Sequence, residues 1–302
     1  MAYRLRPDRK FADEVKATAH EQLEEAIAAL VQQPEGPHEG VHDARKRIKR
    51  TRALYRLVAN AMPDFREREN DRLRAIGNSL SHLRDATALV ESGAKLAKAA
   101  ASKAEARALS HSVAVLTARR DRLAAEETHL GDKMESAAEA CREAQAALDE
   151  LPLDLSGKQA ARLLREGWGK TLRKAAEALA ACREGGEDDR FHELRKRTQD
   201  YWMQHALLRD LWPSAMHAKE VEAKELVDAL GYHQDLSVLT EVVNRERALF
   251  DNNSDLSHLL EAIIRQQQRC REEAIERARW VFAGEADHEE RMIERLWLDA
   301  RA

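Results

Sequence analysis

The chain of 302 residues has little of what usually announces a function. It holds three cysteines, Cys141, Cys182 and Cys270, widely spaced and without a CxxC pair, which argues against both a disulfide framework and a cysteine zinc site. They read as reduced residues of a cytoplasmic protein. No run approaches the roughly eighteen consecutive apolar residues of a membrane span, and Met1-Ala2-Tyr3-Arg4-Leu5-Arg6 does not lead into the apolar stretch of a cleaved leader. A membrane is therefore not an expected partner. There is no GxSxG, P-loop or dinucleotide glycine pattern, so no residue is assigned a catalytic role and no cofactor is expected. His42, His82, His192 and His233 fall on separate segments without clustered carboxylates, so no metal site is expected either.

Breakers are scarce too. Twelve glycines and six prolines stand among 34% charged and 43% hydrophobic residues, dominated by Ala, Glu, Arg and Leu, a composition that predicts an all-α protein. The formal net charge of −4 conceals segregation. From Val41 to Arg56 there are seven Arg or Lys and one acid, whereas from Asp121 to Glu150 nine acids face three bases. Local field decides which ligand binds where, and the first segment is strongly cationic.

What the chain does contain is a repeat. His42-Asp43-Ala44-Arg45-Lys46-Arg47 recurs 150 residues later as His192-Glu193-Leu194-Arg195-Lys196-Arg197, and Leu80 with Arg84-Asp85 recurs in the same register as Leu230 with Gln234-Asp235. Breakers repeat as well. A first helix from about Asp8 to Gln32 stops at Pro34-Glu35-Gly36-Pro37, and its copy, about Ser156 to Cys182, stops at Gly185-Gly186. A second helix, about His38 to Met62, ends at Pro63, and its copy, about Asp188 to Trp212, ends at Pro213. A third, about Asp64 to Ser92, is matched by about Ser214 to Asn244, and a short helix after Gly131 or Gly284 closes each half. Residues 1–302 are thus expected to form two pseudo-symmetric antiparallel bundles of four to five helices, 8–150 and 156–302, packed as one body across Leu151–Gly157.

At about 100° per residue, Val41, Ala44, Ile48, Thr51 and Tyr55 share the core face of the second helix. The opposite face gathers His42, Arg45, Lys46, Lys49, Arg52 and Arg56, with Arg50 on the flank. Like charges one turn apart repel by a few tenths of a kcal/mol per pair. A stripe with a cation every turn, about 5.4 Å, therefore asks for internal acids or for a linear ligand of repeating negative charge. In the copy, His192, Arg195 and Lys196 keep the opening turn, but Gln199, Trp202 and Met203 replace Lys49, Arg52 and Ala53. Lys170, Arg173 and Lys174 on the preceding helix share one face and extend this shorter stripe. The Arg84-Asp85 and Gln234-Asp235 pairs read as ties between helices.

These segments resemble the CHAD family, the conserved-histidine α-helical domain: the run from His42 to Arg52, its copy from His192, and the two Asp-ending pairs. The resemblance covers the chain from about Asp8 onward. It implies two helical bundles around a basic surface or pore that binds inorganic polyphosphate, without hydrolysis, and association with polyphosphate granules. The resemblance is to a stand-alone member of the family, without a fused CYTH-type triphosphatase domain. The family's basic positions fall on His42, Arg45, Lys49, Arg50 and Arg52, and on His192, Arg195 and Lys196. The sequence departs from the family at Gln199, Asp200 and Trp202, so the first half is expected to bind more strongly. Two alternatives remain: a nucleic-acid-binding module, against which stands the lack of aromatics interleaved with the basic stripe, and a scaffold whose charges pair internally.

Overall fold

The computed structural model describes residues 3–80, 82–250 and 252–301, apart from the side chains of residues 82–84. The side chain of Arg84 therefore lies outside the described residues. Among those residues there are eleven α-helices, two single 3-10 turns and no strand: α1 Phe11–Gln32, α2 Pro37–Leu57, α3 Pro63–Ser79, α4 His82–Lys98, α5 Lys103–Glu126, α6 Leu130–Asp149, α7 Gly157–Glu184, α8 Asp188–Leu207, α9 Pro213–Arg245, α10 Asn253–Val281 and α11 Ala286–Asp299. The boundaries follow the breakers. Pro37, Pro63 and Pro213 each sit in the first turn of a helix, where the missing N–H leaves no bond unmade. Ser156 opens α7 with a capping box, its hydroxyl accepting from the Gln159 N–H while the Gln159 side chain accepts from the Ser156 N–H.

The third helix of the first half departs from expectation. It is not continuous but divides into α3 and α4 around Leu80, whereas its counterpart α9 runs unbroken for 33 residues. Gly77-Asn78-Ser79 are weak helix formers at the break, and Ser79 Oγ turns back to donate to the Ile76 carbonyl at 2.9 Å. A guanidinium from α2, Arg45, also claims the Gly77 carbonyl.

Antiparallel neighbours pack along the chain: α1 on α2 and α6, α7 on α8 and α11, α4 on α5, and α9 on α8 and α10. The larger apolar core takes residues from both sides of the 151–157 junction, including Phe11, Leu23, Ile48, Tyr55, Trp168, Tyr201 and Trp297. Phe11 and Trp297, at opposite ends of the chain, meet edge to face at 5.6 Å. A smaller core joins Leu89 and Leu96 of α4, Leu109 and Leu116 of α5, Leu236 and Leu239 of α9, and Leu259 and Ile263 of α10. The helices that carry the repeated motifs, α2 and α8, touch each other, and α4 touches α9 across the same region. This arrangement positions the candidate site.

Candidate anion-binding cleft

Helix α2 buries the face its periodicity predicts: Val41, Ala44, Ile48, Thr51 and Tyr55 are all inaccessible. Its opposite face is thereby turned outward, with His42 and Lys46 exposed and Arg45 and Lys49 partly so. These four side chains line one wall of a cleft of about 770 Å³. Arg45 is held by its bond to the Gly77 carbonyl, so the break between α3 and α4 fixes a cation at the cleft wall.

The facing wall comes from α8 and α9, and α4 closes one side. From α8 it receives Arg195, Gln199, Trp202 and Met203, so the two basic segments 150 residues apart look onto one space. Arg195 is the most constrained of these groups. Burial pushes its guanidinium pKa down, the carboxylates of Asp235 and Asp228 oppose that shift, and its Nε–H has no hydrogen-bond partner among the described residues. A half-buried guanidinium with an unmet donor at the wall of a cleft is a group prepared for an incoming acceptor.

Two further cations enter the cleft from helices outside the basic stripes. Lys95 of α4 lies with its ammonium 5.0 Å from the Tyr232 ring centroid, and Lys224 of α9 lies 5.5 Å from that of Trp202. Lys224 also pairs with Asp228 at 2.5 Å. Asp85, Gln234 and Asp235, the described members of the paired motifs, line the cleft as well. The cleft thus combines cations with carboxylates that keep them apart and oriented.

Farther along α2 the stripe reaches a second hollow of about 270 Å³, lined by Arg56, Arg66, Lys170, Lys174 and Arg197 together with Asp200 and Glu67. Arg56 donates from Nε and Nη2 to Asp200 Oδ1 at 2.9 and 2.6 Å, which ties α2 to α8. Between cleft and hollow, Arg52 donates to Asn70 Oδ1 at 3.0 Å, and burial, then the neighbouring Arg56 charge, pushes its pKa down to about 10. The Lys174 pKa is lowered in the same way, by burial first and then by Arg197, Lys170 and Arg66. Mutual repulsion of this kind is what a bound anion relieves.

The remaining sequence-derived candidates stand apart from both spaces. Arg50 packs against the N-terminal segment, its guanidinium 5.1 Å from the Tyr3 ring while the Tyr3 hydroxyl donates to the Arg50 carbonyl at 2.8 Å. Lys196 is exposed and donates to Glu193 at 3.1 Å. His192 stands behind the cleft in contact with Gln234, and burial, followed by the Lys196 charge, lowers its pKa. Arg173 bonds Glu290 at 2.9 Å in a hollow of about 400 Å³ that it shares with Lys170 and Arg165. Lys95 and Lys224 were not legible as site residues because single lysines on α4 and α9 carry no stripe. Only the docking of those helices aims them.

Among the described residues no three His, Cys, Asp or Glu side chains stand where they could hold a metal ion, and no helix is long and apolar enough to cross a membrane. The three cysteines are buried thiols.

An all-helical protein whose two related basic helices face each other across a cation-lined cleft belongs to a narrow class. The model of the CHAD domain matches residues 17–244, and the chain belongs to that family. The crystal structure of the CHAD domain from the plant Ricinus communis is similar in fold, with a TM-score of 0.60 at 17% identity, over 94% of this chain and 96% of that one. No curated protein matches the chain.

Proposed function

We propose that the protein binds inorganic polyphosphate, without hydrolysing it, in the cleft between α2 and α8. The observation that carries this reading is the convergence of Arg45, Lys46 and Lys49 with Arg195, Lys95 and Lys224 on one space of about 770 Å³. A linear chain of phosphates presents acceptor oxygens at every unit, so it can meet cations on successive turns simultaneously, which a compact anion cannot. From His42 to Arg56 the stripe extends about 21 Å along the helix axis at 1.5 Å per residue. A long chain therefore also reaches the hollow of Arg56, Lys170 and Lys174. Association with polyphosphate granules follows from such binding.

Binding of long-chain polyphosphate is measured by calorimetry at several salt concentrations. With six cations engaged, affinity is expected to fall on the order of a thousandfold between about 50 and about 200 mM salt, by analogy with other linear polyanions. Replacing Arg45, Lys49 and Arg195 together by Ala is expected to abolish binding with the helical content retained. Loss of folding with anion binding intact would mean an internally paired scaffold. Retention of single-stranded RNA over polyphosphate in competition at fixed ionic strength would mean a nucleic-acid module.

A further inference from the structure

The two walls of the cleft are chemically unlike. The α2 wall presents His42, Arg45, Lys46 and Lys49 and no aromatic or aliphatic face. Across from it, Trp202 and Met203 of α8 and Val227, Tyr232 and Val238 of α9 form an apolar and aromatic surface. The stripe of α2 lacks interleaved aromatics, but the fold supplies them from the opposite side. Trp202 occupies the position that Arg52 holds in the first repeat, so one cation of the duplicated stripe has been exchanged for the largest planar side chain.

A ligand made only of phosphates has no use for that surface. From these contrasting walls we infer that the cleft accepts a nucleoside polyphosphate, with the phosphate chain on the α2 cations and the base stacked on Trp202. The inference rests on the polyphosphate reading for the α2 wall and adds a second chemistry for the α8 and α9 wall. A space of about 770 Å³ suits a ligand of this size, since small-molecule sites run from about 300 to 1,000 Å³. Every base has a π-face, so the ring selects for a planar heterocycle with little preference among bases. The Gln199 side chain beside Trp202 offers both a donor and an acceptor to the base edge. Lys224 sits over the Trp202 ring on a flexible four-carbon stem. When the base takes that place, the ammonium exchanges its Asp228 partner for a phosphate oxygen.

The test compares adenosine triphosphate with inorganic tripolyphosphate on the full-length protein by calorimetry, without divalent cations and at fixed ionic strength. Electrostatics alone orders the two in favour of tripolyphosphate, because the ester removes one ionisable oxygen. Stacking reverses the order, and the nucleotide is expected to bind on the order of tenfold more tightly. Trp202→Ala is expected to erase the preference and Trp202→Phe to keep most of it. Nucleotide binding no tighter than tripolyphosphate in the unmodified protein overturns the inference, whatever the variants do, and leaves the polyphosphate reading standing. A preference that survives in Trp202→Ala overturns it as well. Failure of both ligands to bind overturns this inference, and the polyphosphate reading falls with it only if long-chain polyphosphate also fails to bind.

Discussion

Arg195 and Arg56 are both arginines of the basic helices, yet their surroundings predict opposite consequences of removal. Arg195 is half-buried, with an Nε–H that has no partner among the described residues, and it answers the charges of Asp235 and Asp228 only through the field. Arg195→Met is expected to weaken polyphosphate binding about tenfold while the thermal midpoint changes little, because a half-buried charge at the cleft wall gives way to an apolar side chain of similar length. Arg56 instead balances Asp200, whose side chain is only 7% exposed. Arg56→Met leaves that carboxylate buried without its main partner and is expected to cost about 3 kcal/mol in urea unfolding. Calorimetry and denaturation on the two variants separate the roles, and equal losses of stability would contradict the assignment. At this scale the sequence was informative where helical period alone fixes direction, as for Arg45 and Lys49. It misled at Arg50, which the spacing puts on the flank of the stripe but which Tyr3, lying before any periodic segment, draws to the N-terminal chain.

Among the helices, the approach that shapes the second hollow is that of α7 to the end of α2. Gly167 of α7 lies so close to the Leu57 carbonyl that a Cβ there would overlap the backbone, and a backbone atom cannot move aside as a flexible side chain can. Gly167→Ala is expected to push the two helices apart and to destabilise the protein by about 1–3 kcal/mol, read as a lower urea midpoint. The same variant should weaken long polyphosphate chains more than short ones, since it displaces Lys170 and Lys174 but leaves the α2–α8 cleft in place. Helix order, the breaks marked by prolines and the buried face of α2 were all legible, because breakers and a 3.6-residue period are local. The break between α3 and α4 was not. A run from Asp64 to Ser92 keeps helical spacing throughout, and what interrupts it includes a tertiary contact, Arg45 on the Gly77 carbonyl, that no local pattern encodes. The apolar wall facing α2 was hidden for the same reason: Trp202 and Tyr232 are 30 residues apart and on different helices, and only packing sets them side by side in the cleft.

Over the whole molecule, a core continuous across the 151–157 junction makes folding sensitive to any charge forced into it. Two buried histidines supply that sensitivity. His205 of α8 packs 4.7 Å from the Trp168 ring and 4.3 Å from that of Tyr201, donates from Nδ1 to the Tyr201 carbonyl at 3.1 Å, and has its pKa pushed down to about 3 by burial. His233 of α9 packs 5.1 Å from Phe191 and accepts from Arg271 Nε at its Nε2 at 3.0 Å, so that nitrogen carries no proton. Burial brings the His233 pKa down to about 4, against the pull of Asp188, which meets both His233 and Arg271. Both folded-state values lie below the ordinary 6.5. As pH falls below 6.5, the unfolded chain takes up two protons that the folded chain refuses, so stability is complete above that pH and declines beneath it. From about pH 7 to about pH 5 the two sites together are expected to remove about 4 kcal/mol, at 1.36 kcal/mol per unit of pKa difference, a large share of a typical domain stability of about 5–15 kcal/mol. Urea unfolding across that range measures the decline. His205→Phe keeps the ring packing between Trp168 and Tyr201 and removes one titrating group, so it should halve the slope. An unchanged slope in that variant would place the acid sensitivity elsewhere, in carboxylates such as Asp188, which, against the opposing effect of burial, hydrogen bonds from Ser237 and Arg271 hold below the usual range.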